Sequence, residues 1–368
     1  MQQSLDKWFV RKDTEGHVIE SMPSVFFLDW RPKDGIIEAK WLHEPPTDVS
    51  ITYQTQIEWK NKAKDNKLAG FTINLNIIAH IDESSINGII EPENFYTNIS
   101  FLKSHLQKCI RRSNVKKALL TAQHFMALDL NQFLRRLPII MIEDVHINKA
   151  FSPLVWLMVA HSKGYTLRQD QIYWLLGIVV YLANSPYKHN YQSKSKTPIV
   201  IKKMSMSHFH NEQKALLFSM QLRKSYGGLG GDKEMIDDLT LDWYNRFKSQ
   251  QTTQQDIQLM ELFNQNIRSV MPLNLKLGLE DWILPAIDFH CEQSILSILC
   301  DKFDQYNYDQ IKEAIWLCSS GYNNKQLIYI TNHGMDMKTK VNKDVIEVWN
   351  IIRGQVYSLA QYYLEHRY

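Results

Sequence analysis

The hydrophobic pattern changes its period near residue 98, and this change constrains the fold more than any other feature. Before it, four stretches rich in β-branched and aromatic residues are separated by turn-like sequence: VFFLDW, IIEAKWL, VSITYQTQIEW and FTINLNIIAHI. Such stretches predict β-strands. After it, apolar residues recur at helical spacing, as in SFLKSHLQKCIRR. We therefore expect an α+β fold, with a small β-rich N-terminal module followed by a large all-helical region.

Several residues predict where helices begin, break and end. Asn114 is a suitable N-cap for the helix VKKALLTAQHFMAL, because its side chain can accept from an amide in the first turn. Pro138 predicts a kink or break in the next apolar stretch. The segment SPLVWLMVAHSKG reads as a helix capped by Ser152, with Pro153 in its first turn and Gly164 after its end.

The chain has 368 residues, more than one domain usually contains. We expect four consecutive segments: a flexible segment at 1–20, the β-rich module at 21–97, a basic helical domain at 98–231 and a C-terminal helical region at 232–368. The boundary near 231 follows the glycine cluster GGLGG.

Charge is segregated along the chain. Residues 101–231 contain 19 Lys and Arg against 5 Asp and Glu, whereas residues 1–100 contain 10 against 15 and residues 232–368 contain 13 against 19. A central third this basic is typical of contact with a polyanion, most commonly nucleic acid. The alternative is a solvated surface neutralised by its acidic neighbours in the fold.

Other features exclude broad classes of protein. The longest apolar run, at 172–183, has 12 residues, which suits a buried helix and is short for a membrane span. Charged residues near the N-terminus argue against a signal peptide. The four cysteines form no CxxC pair, so neither a zinc site nor a disulfide framework is expected. We expect an intracellular protein with no membrane partner.

Signatures of catalysis are weak. The cluster SYGGLGGDKEM lacks the spacing of a P-loop and is better explained as a helix C-terminus followed by a turn. Two groups could contribute metal ligands, but neither has a standard zinc spacing: His208 with His210, and the group Asp288, His290, Cys291 and Glu292. We expect no catalytic residues, no metal and no cofactor, and thus no enzyme.

The adjacent carboxylates Glu143 and Asp144 lie in an otherwise apolar and basic stretch. A buried salt bridge to a nearby arginine is the expected role, rather than acid–base catalysis. The candidate arginines are Arg111, Arg112, Arg135 and Arg136.

The octapeptide QQSLDKWF at 2–9 resembles a PIP box, the motif with which replication and repair proteins bind the sliding clamp PCNA. Gln2, Leu5, Trp8 and Phe9 match its glutamine, aliphatic and two aromatic positions. A single 3₁₀ turn would bring the three apolar side chains to one side, as a plug for a pocket. The alternative is a first helical turn that docks on its own domain.

The stretch from LQKCIRR to YLANSPYKHNY resembles the C-terminal helical region of the RarA/MgsA/Werner-interacting-protein ATPases, which are related to clamp loaders. The resemblance covers about 95 residues and lacks the ATPase module, so it does not imply ATP hydrolysis. It implies a collar-like helical region that holds subunits together. The matching positions are Lys108, Ile110, Arg111, Ala118, Leu119, Arg135, Arg136, Ile142, Glu143, Asp144, Tyr181, Leu182, Ala183, Pro186 and Asn190.

Together these features predict a non-catalytic replication or repair factor that binds PCNA and forms a homo- or hetero-oligomer in the nucleus or a viral replication compartment. Non-specific DNA contacts are expected from the basic region. The alternatives are a metal-dependent nuclease and a structural oligomeric scaffold. The residues expected to contact DNA phosphates are Arg111, Arg112, Lys116, Lys117, Arg135 and Arg136.

Overall fold

The computed structural model confirms the α+β fold, with a four-stranded sheet near the N-terminus and α-helices after it. It describes residues 22–61, 71–82, 98–189, 206, 208–249, 254–273, 293–327 and 343–367. Each of the four stretches that predict strands contains one.

The sheet is mixed. Its strands are β1 (Val25–Arg31), β2 (Ile36–Leu42), β3 (Tyr53–Asn61) and β4 (Phe71–Ile81), in the order β2-β1-β4-β3. β1 and β2 are antiparallel, β3 and β4 are antiparallel, and the two central strands β1 and β4 are parallel. β2 and β3 are therefore the edge strands.

The sheet has one strongly apolar face, because side chains alternate along each strand. Phe26, Leu28 and Trp30 on β1 are fully buried. This face packs against two helices, α3 (Phe151–His161) and α5 (Asn211–Ser225), which are described below. Trp156 Nε1 of α3 donates to the carbonyl of Phe26 at 3.0 Å, and Trp41 Nε1 of β2 donates to Ser219 Oγ of α5 at 3.2 Å.

The helices in chain order are α1 (Ile99–Arg111), α2 (Val115–Asp144), α3, α4 (Gln169–Asn184), α5, α6 (Gly230–Ser249), α7 (Gln254–Phe263), α8 (Gln293–Lys302), α9 (Tyr308–Ile315) and α10 (Lys343–Arg367). A short π-helix, Trp316–Ser320, follows α9. Two-residue strands, β5 (Tyr187–Lys188) and β6 (Gln326–Leu327), pair in parallel. Among the helices that the structure describes, no helix is both long enough and apolar enough to cross a membrane.

The helix limits partly follow the sequence. Asn114 caps α2, since its side chain accepts from the amide of Lys117 at 3.1 Å. The break within α2 occurs at Asp129, whose backbone angles are not helical, and not at Pro138, which lies inside the second half of the helix. Asp129 Oδ1 accepts from the amide of Gln132 at 2.9 Å and so acts as an internal cap. The N-cap of α3 is Ala150, which places Ser152 inside the first turn.

The chain forms two compact units, each built from separated stretches. The first comprises the described residues within 1–85, 148–165 and 191–266, and the second those within 86–147, 166–190 and 267–368. The predicted segments are contiguous, so they do not follow this division. The physical reason is that the sheet needs a cover for its apolar face, and α3 and α5 provide it from further along the chain.

The second unit contains α1, α2 and α4, which pack together, and α8, α9 and α10, which share an apolar core. α4 contains the longest apolar run, and most of its residues are buried, as the sequence predicts. Leu299, Ile311 and Ile352 are fully buried between the last three helices.

Candidate functional site

An ionic network joins the ends of α1 and α2 and contains four of the residues on which the collar resemblance depends, Arg111, Arg136, Glu143 and Asp144. Arg111 Nε donates to Asp144 Oδ1 at 2.5 Å, and Arg111 Nη2 donates to Glu143 Oε1 at 3.1 Å. The Asp144 side chain is 2% exposed, so this pair is shielded from solvent. The predicted salt bridge between the adjacent carboxylates and an arginine is confirmed.

Gln107, one turn before Arg111, completes the network. Its Nε2 donates to Glu143 Oε2 at 2.9 Å and to Asp144 Oδ2 at 2.6 Å. Its Oε1 accepts from Arg136 Nη2. One amide therefore links both carboxylates to a second guanidinium group. Gln107 was not predicted as part of a site, although it lies one helical turn before Arg111 and faces the same side of α1.

Burial changes the proton affinity of these groups. The pKa of Glu143 is raised by burial and by the neighbouring charge of Asp144, against the opposing effect of Arg111 and Arg136. The pKa of Arg112 is lowered by burial, and its guanidinium donates to the carbonyl of Ser319. Burial thus disfavours the charged form of both groups, and the arginines beside Glu143 oppose this effect on its carboxylate.

The same network holds the end of the π-helix and the segment that follows it. Arg111 Nη1 donates to the carbonyl of Ser320 at 3.1 Å, and Asn324 N donates to the carbonyl of Arg111 at 2.8 Å. Asn323 Nδ2 donates to the carbonyl of Asp144 at 3.2 Å. The ends of α1 and α2 are thus tied to chain that lies about 180 to 210 residues later.

Lys325 is a further buried group in this segment. It is 6% exposed, and its Nζ donates to the carbonyls of Ala183 at 3.2 Å and Ser185 at 2.7 Å. Burial lowers its pKa to about 8, although Asp144 opposes this shift. The ammonium group therefore satisfies the last carbonyls of α4, as a cation at a helix C-terminus can.

His146 is a second buried base. Its Nε2 lies 3.1 Å from Tyr181 Oη, and its Nδ1 lies 3.2 Å from the carbonyl of Ile147. Burial lowers its pKa to about 4, with smaller contributions from His189 and Lys325. The neutral ring with Nδ1 protonated fits both contacts, because Nε2 then accepts from the tyrosine. Tyr181 is one of the positions that match the collar-like region in the sequence.

The six basic residues expected to contact DNA separate into two groups. The guanidinium groups of Arg111, Arg112 and Arg136 make hydrogen bonds inside the fold, so they are not available to phosphates. Lys116 is exposed, whereas Lys117 and Arg135 are partly exposed. Lys116, Lys117 and Arg135 therefore stay the expected contacts with DNA phosphates, and the two lysines lie together in the first turn of α2.

Most of the other positions that match the collar-like region are buried. Ile110, Ala118, Leu119, Ile142, Leu182 and Ala183 are buried, and Lys108 is 3% exposed. Asn190 lies outside the described residues. In this chain, the motif residues that are described mainly hold α1, α2 and α4 together.

The glycine cluster ends α5, as the sequence predicts. The amide of Tyr226 donates to the carbonyl of Arg223 at 3.2 Å, and that of Gly227 donates to the carbonyl of Lys224 at 3.1 Å. Gly227 and Gly228 have positive φ angles, which glycine adopts without strain. Lys224 pairs with Asp237 at 2.5 Å, so the nearby cations are also used within the fold.

The remaining sequence candidates are only partly described. His210 is the N-cap of α5, and His208 lies just before it. Among the described residues, no group of three His, Cys, Asp or Glu side chains could hold a metal ion. Asp288, His290, Cys291 and Glu292 lie outside the described residues, and so do Gln2, Leu5, Trp8 and Phe9, whose clamp-binding role stays a prediction.

Comparison with known proteins assigns no family to this chain. No protein-family model, no curated protein and no solved structure matches it. The two resemblances therefore depend on the residues of this sequence alone.

Proposed function

We propose that this protein is a non-catalytic accessory factor of DNA replication or repair that binds the sliding clamp PCNA. The observation that carries the proposal is the spacing of Gln2, Leu5, Trp8 and Phe9, which matches all four positions of a PIP box. Aromatic side chains that fill a pocket usually supply most of the binding energy at such interfaces. The factor would act in the nucleus or in a viral replication compartment.

The helical region supports the same proposal independently of the octapeptide. Residues that resemble the collar of a clamp-loader-related family meet in the network of Arg111, Glu143 and Asp144. A network used to hold helices together suits a domain whose role is assembly. We propose that the region forms a collar-like oligomer, and that Lys116 and Lys117 contribute non-specific contacts to DNA phosphates.

The test is calorimetric titration of the full-length chain with PCNA. We expect the double substitution Trp8→Ala and Phe9→Ala to weaken binding by at least about 30-fold, because two pocket-filling aromatics are removed. The two adjacent glutamines provide a matched pair: Gln2→Ala should weaken binding measurably, whereas Gln3→Ala should leave it unchanged.

Full-strength PCNA binding by the double variant would refute the role of the octapeptide. Light scattering with the purified chain tests assembly separately, since a monomer at all concentrations would refute the collar-like oligomer. The alternative, a metal-dependent nuclease, predicts that the chain cleaves DNA with Mg²⁺ or Mn²⁺. Loss of that cleavage in Asp288→Ala or His290→Ala would favour the nuclease over the proposed accessory factor.

A further inference from the structure

Two large aromatic side chains are exposed at the two ends of the π-helix, Trp316 at its start and Tyr322 just after its end. Trp316 is 39% exposed and Tyr322 is 38% exposed, whereas Ser319 and Ser320 between them are buried. Single exposed apolar residues are normal, but several in one place mark an interaction surface. The two rings are therefore available to a partner.

The Trp316 ring is supported by the backbone at the end of the π-helix. Gly321 N donates to the carbonyl of Trp316 at 2.6 Å, and a Cβ atom at Gly321 would lie 3.0 Å from Cε2 of the Trp316 ring. The ring therefore rests on Gly321, where a residue with a side chain would crowd it. It is held in place and still accessible.

Arg112 brings two tyrosines to the same region. Its guanidinium donates to the carbonyl of Ser319. Burial lowers the pKa of Arg112, and Tyr357 and Tyr322 both oppose this shift, so both phenol groups lie near the guanidinium group. The ring of Tyr357, on α10, lies 6.0 Å from that of Trp349 between centroids. We call the four residues Trp316, Tyr322, Tyr357 and Trp349 the aromatic surface.

Two lysines lie on the α2 side of this surface. Lys116 and Lys117 follow Arg112 in the chain and occupy the first turn of α2. The charges of Lys117 and Arg112 both oppose the rise in the pKa of the Cys109 thiol that burial causes, so the lysine and the arginine are close to one buried group. Within the described residues, neither lysine forms an ion pair.

Arg353 supplies a third cation, on α10. It is exposed and lies one helical turn after Trp349 and one before Tyr357, so the three share a face of the helix. The exposed Glu347 lies two residues before Trp349 and therefore faces another side of α10. Glu313 is exposed one turn before the π-helix, so the cations of the surface lie on the α2 and α10 sides.

Aromatic rings bordered by cations match the chemistry of a nucleic-acid strand. Each base has a flat face that stacks on an aromatic ring, and each phosphate carries a charge that lysine and arginine attract. In a duplex the faces of the bases are stacked on one another, so side chains do not reach them. Exposed rings therefore fit a single strand better than a duplex.

We propose that the aromatic surface binds single-stranded DNA. Bases stack on Trp316 and Tyr322, and the phosphates between them lie next to Lys116, Lys117 and Arg353. The choice of DNA rests on the proposed function, whereas the preference for a single strand comes from the exposed rings. PCNA is not needed for this binding.

The experiment measures fluorescence anisotropy with the full-length chain and three labelled DNAs at one salt concentration. These are a short oligodeoxythymidine, an abasic strand of the same length and a duplex of that length. The abasic strand has the same phosphates but no bases, so it separates stacking from charge. We expect the oligodeoxythymidine to bind more tightly than either of the other two.

Trp316→Ala and Tyr322→Ala should each weaken oligodeoxythymidine binding by roughly tenfold and leave binding of the abasic strand unchanged, because each removes one stacking partner. Tyr308→Ala is the matched control. Tyr308 is 41% exposed at the start of α9, with Lys312 Nζ 5.6 Å from its ring centroid, and its removal should leave binding unchanged. Trp316→Phe keeps a ring and should retain most of the affinity, and thermal denaturation checks that each variant folds.

Two outcomes overturn the proposal. The first is equal binding of all three DNAs, which would keep the proposed non-specific phosphate contacts and remove the single-strand site. The second is unchanged oligodeoxythymidine binding in folded Trp316→Ala and Tyr322→Ala; loss of self-association in these variants by light scattering would then assign the aromatic surface to a second copy of the chain. Failure of clamp binding would leave both readouts unaffected, since no PCNA is present.

Discussion

Arg111 and Asp144 are joined by a hydrogen bond of 2.5 Å between Nε and Oδ1, although they lie 33 residues apart in the sequence. One is the last residue of α1 and the other the last residue of α2, so the pair fixes how the two helices end against each other. Gln107 binds the same carboxylate from the preceding turn of α1.

Breaking this pair should be costly. We expect Arg111→Ala or Asp144→Ala to lower the free energy of unfolding by about 3 kcal/mol, because the remaining partner is left charged and shielded from solvent. The measurement is urea denaturation of each variant. Lys60→Ala is the control: it breaks the pair of Lys60 with Glu58, both half exposed, and should cost less than about 1 kcal/mol.

A loss in Arg111→Ala no larger than that in Lys60→Ala would contradict a structural role for the network. Replacing both partners with apolar residues, Arg111→Met with Asp144→Leu, should cost less than either single change, since no unpaired charge remains.

His146 should make the stability of the protein fall in acid. Its folded pKa of about 4 lies below the ordinary value of 6.5, so in this range the unfolded chain takes up a proton that the folded chain does not. The contribution is complete above pH 6.5 and is lost as the pH falls towards 4. Between pH 7 and pH 5 we expect this group to lower the free energy of unfolding by about 2 kcal/mol.

Urea denaturation at pH 7 and pH 5 measures this loss. In His146→Asn the loss of unfolding free energy between pH 7 and pH 5 should shrink by most of that amount. His124→Asn, in the first half of α2, is the control and should keep the full loss. An unchanged pH dependence in His146→Asn would show that other groups cause the acid sensitivity.

The strands could be predicted from the sequence because their signal is local. Each is a run of β-branched and aromatic residues bounded by turn residues, and the cap at Asn114 is equally local. The parallel pairing of β1 with β4, in which Phe26 faces Ile77, was not predicted. Pairing depends on which strands meet in three dimensions, and no local pattern specifies it.

The site was only partly predictable for the same reason. Adjacent carboxylates in an apolar stretch indicated a salt bridge with an arginine, since a buried charge needs a partner. Lys325 gave no such signal, because its partners Ala183 and Ser185 are backbone carbonyls about 140 residues away. The Ser152 cap was predicted wrongly because Asn148 supplies the acceptors for the first amides of α3.

Gly177 of α4 should not tolerate a side chain. A Cβ atom there would clash with the carbonyl oxygen of Arg268 and lie 2.9 Å from its carbonyl carbon. The backbone around Arg268 is held in place, since Val270 N donates to the carbonyl of Tyr173 at 2.9 Å. We expect Gly177→Ala to lower the free energy of unfolding by about 2 kcal/mol, as overpacking in other cores does.

Gly354 provides the matched control, because it lies within α10 and nothing surrounds its Cβ position within 4 Å. Gly354→Ala should raise the free energy of unfolding by about 0.5–1 kcal/mol, through the higher helix propensity of alanine. Thermal denaturation of the Gly177→Ala and Gly354→Ala variants measures both changes in stability. Equal effects of the two substitutions would contradict the close packing at Gly177.

Lys116 and Lys117 should account for part of the salt dependence of any DNA binding. Each phosphate contact releases counterions, so removing one lysine should reduce the slope of log affinity against log salt by about 1. Fluorescence anisotropy with a DNA duplex over a salt series measures this slope for Lys116→Ala and Lys117→Ala. Lys40→Ala is the control, because that lysine is on β2 and pairs with Glu38. A slope that stays the same in both α2 variants would contradict phosphate contacts by the first turn of α2.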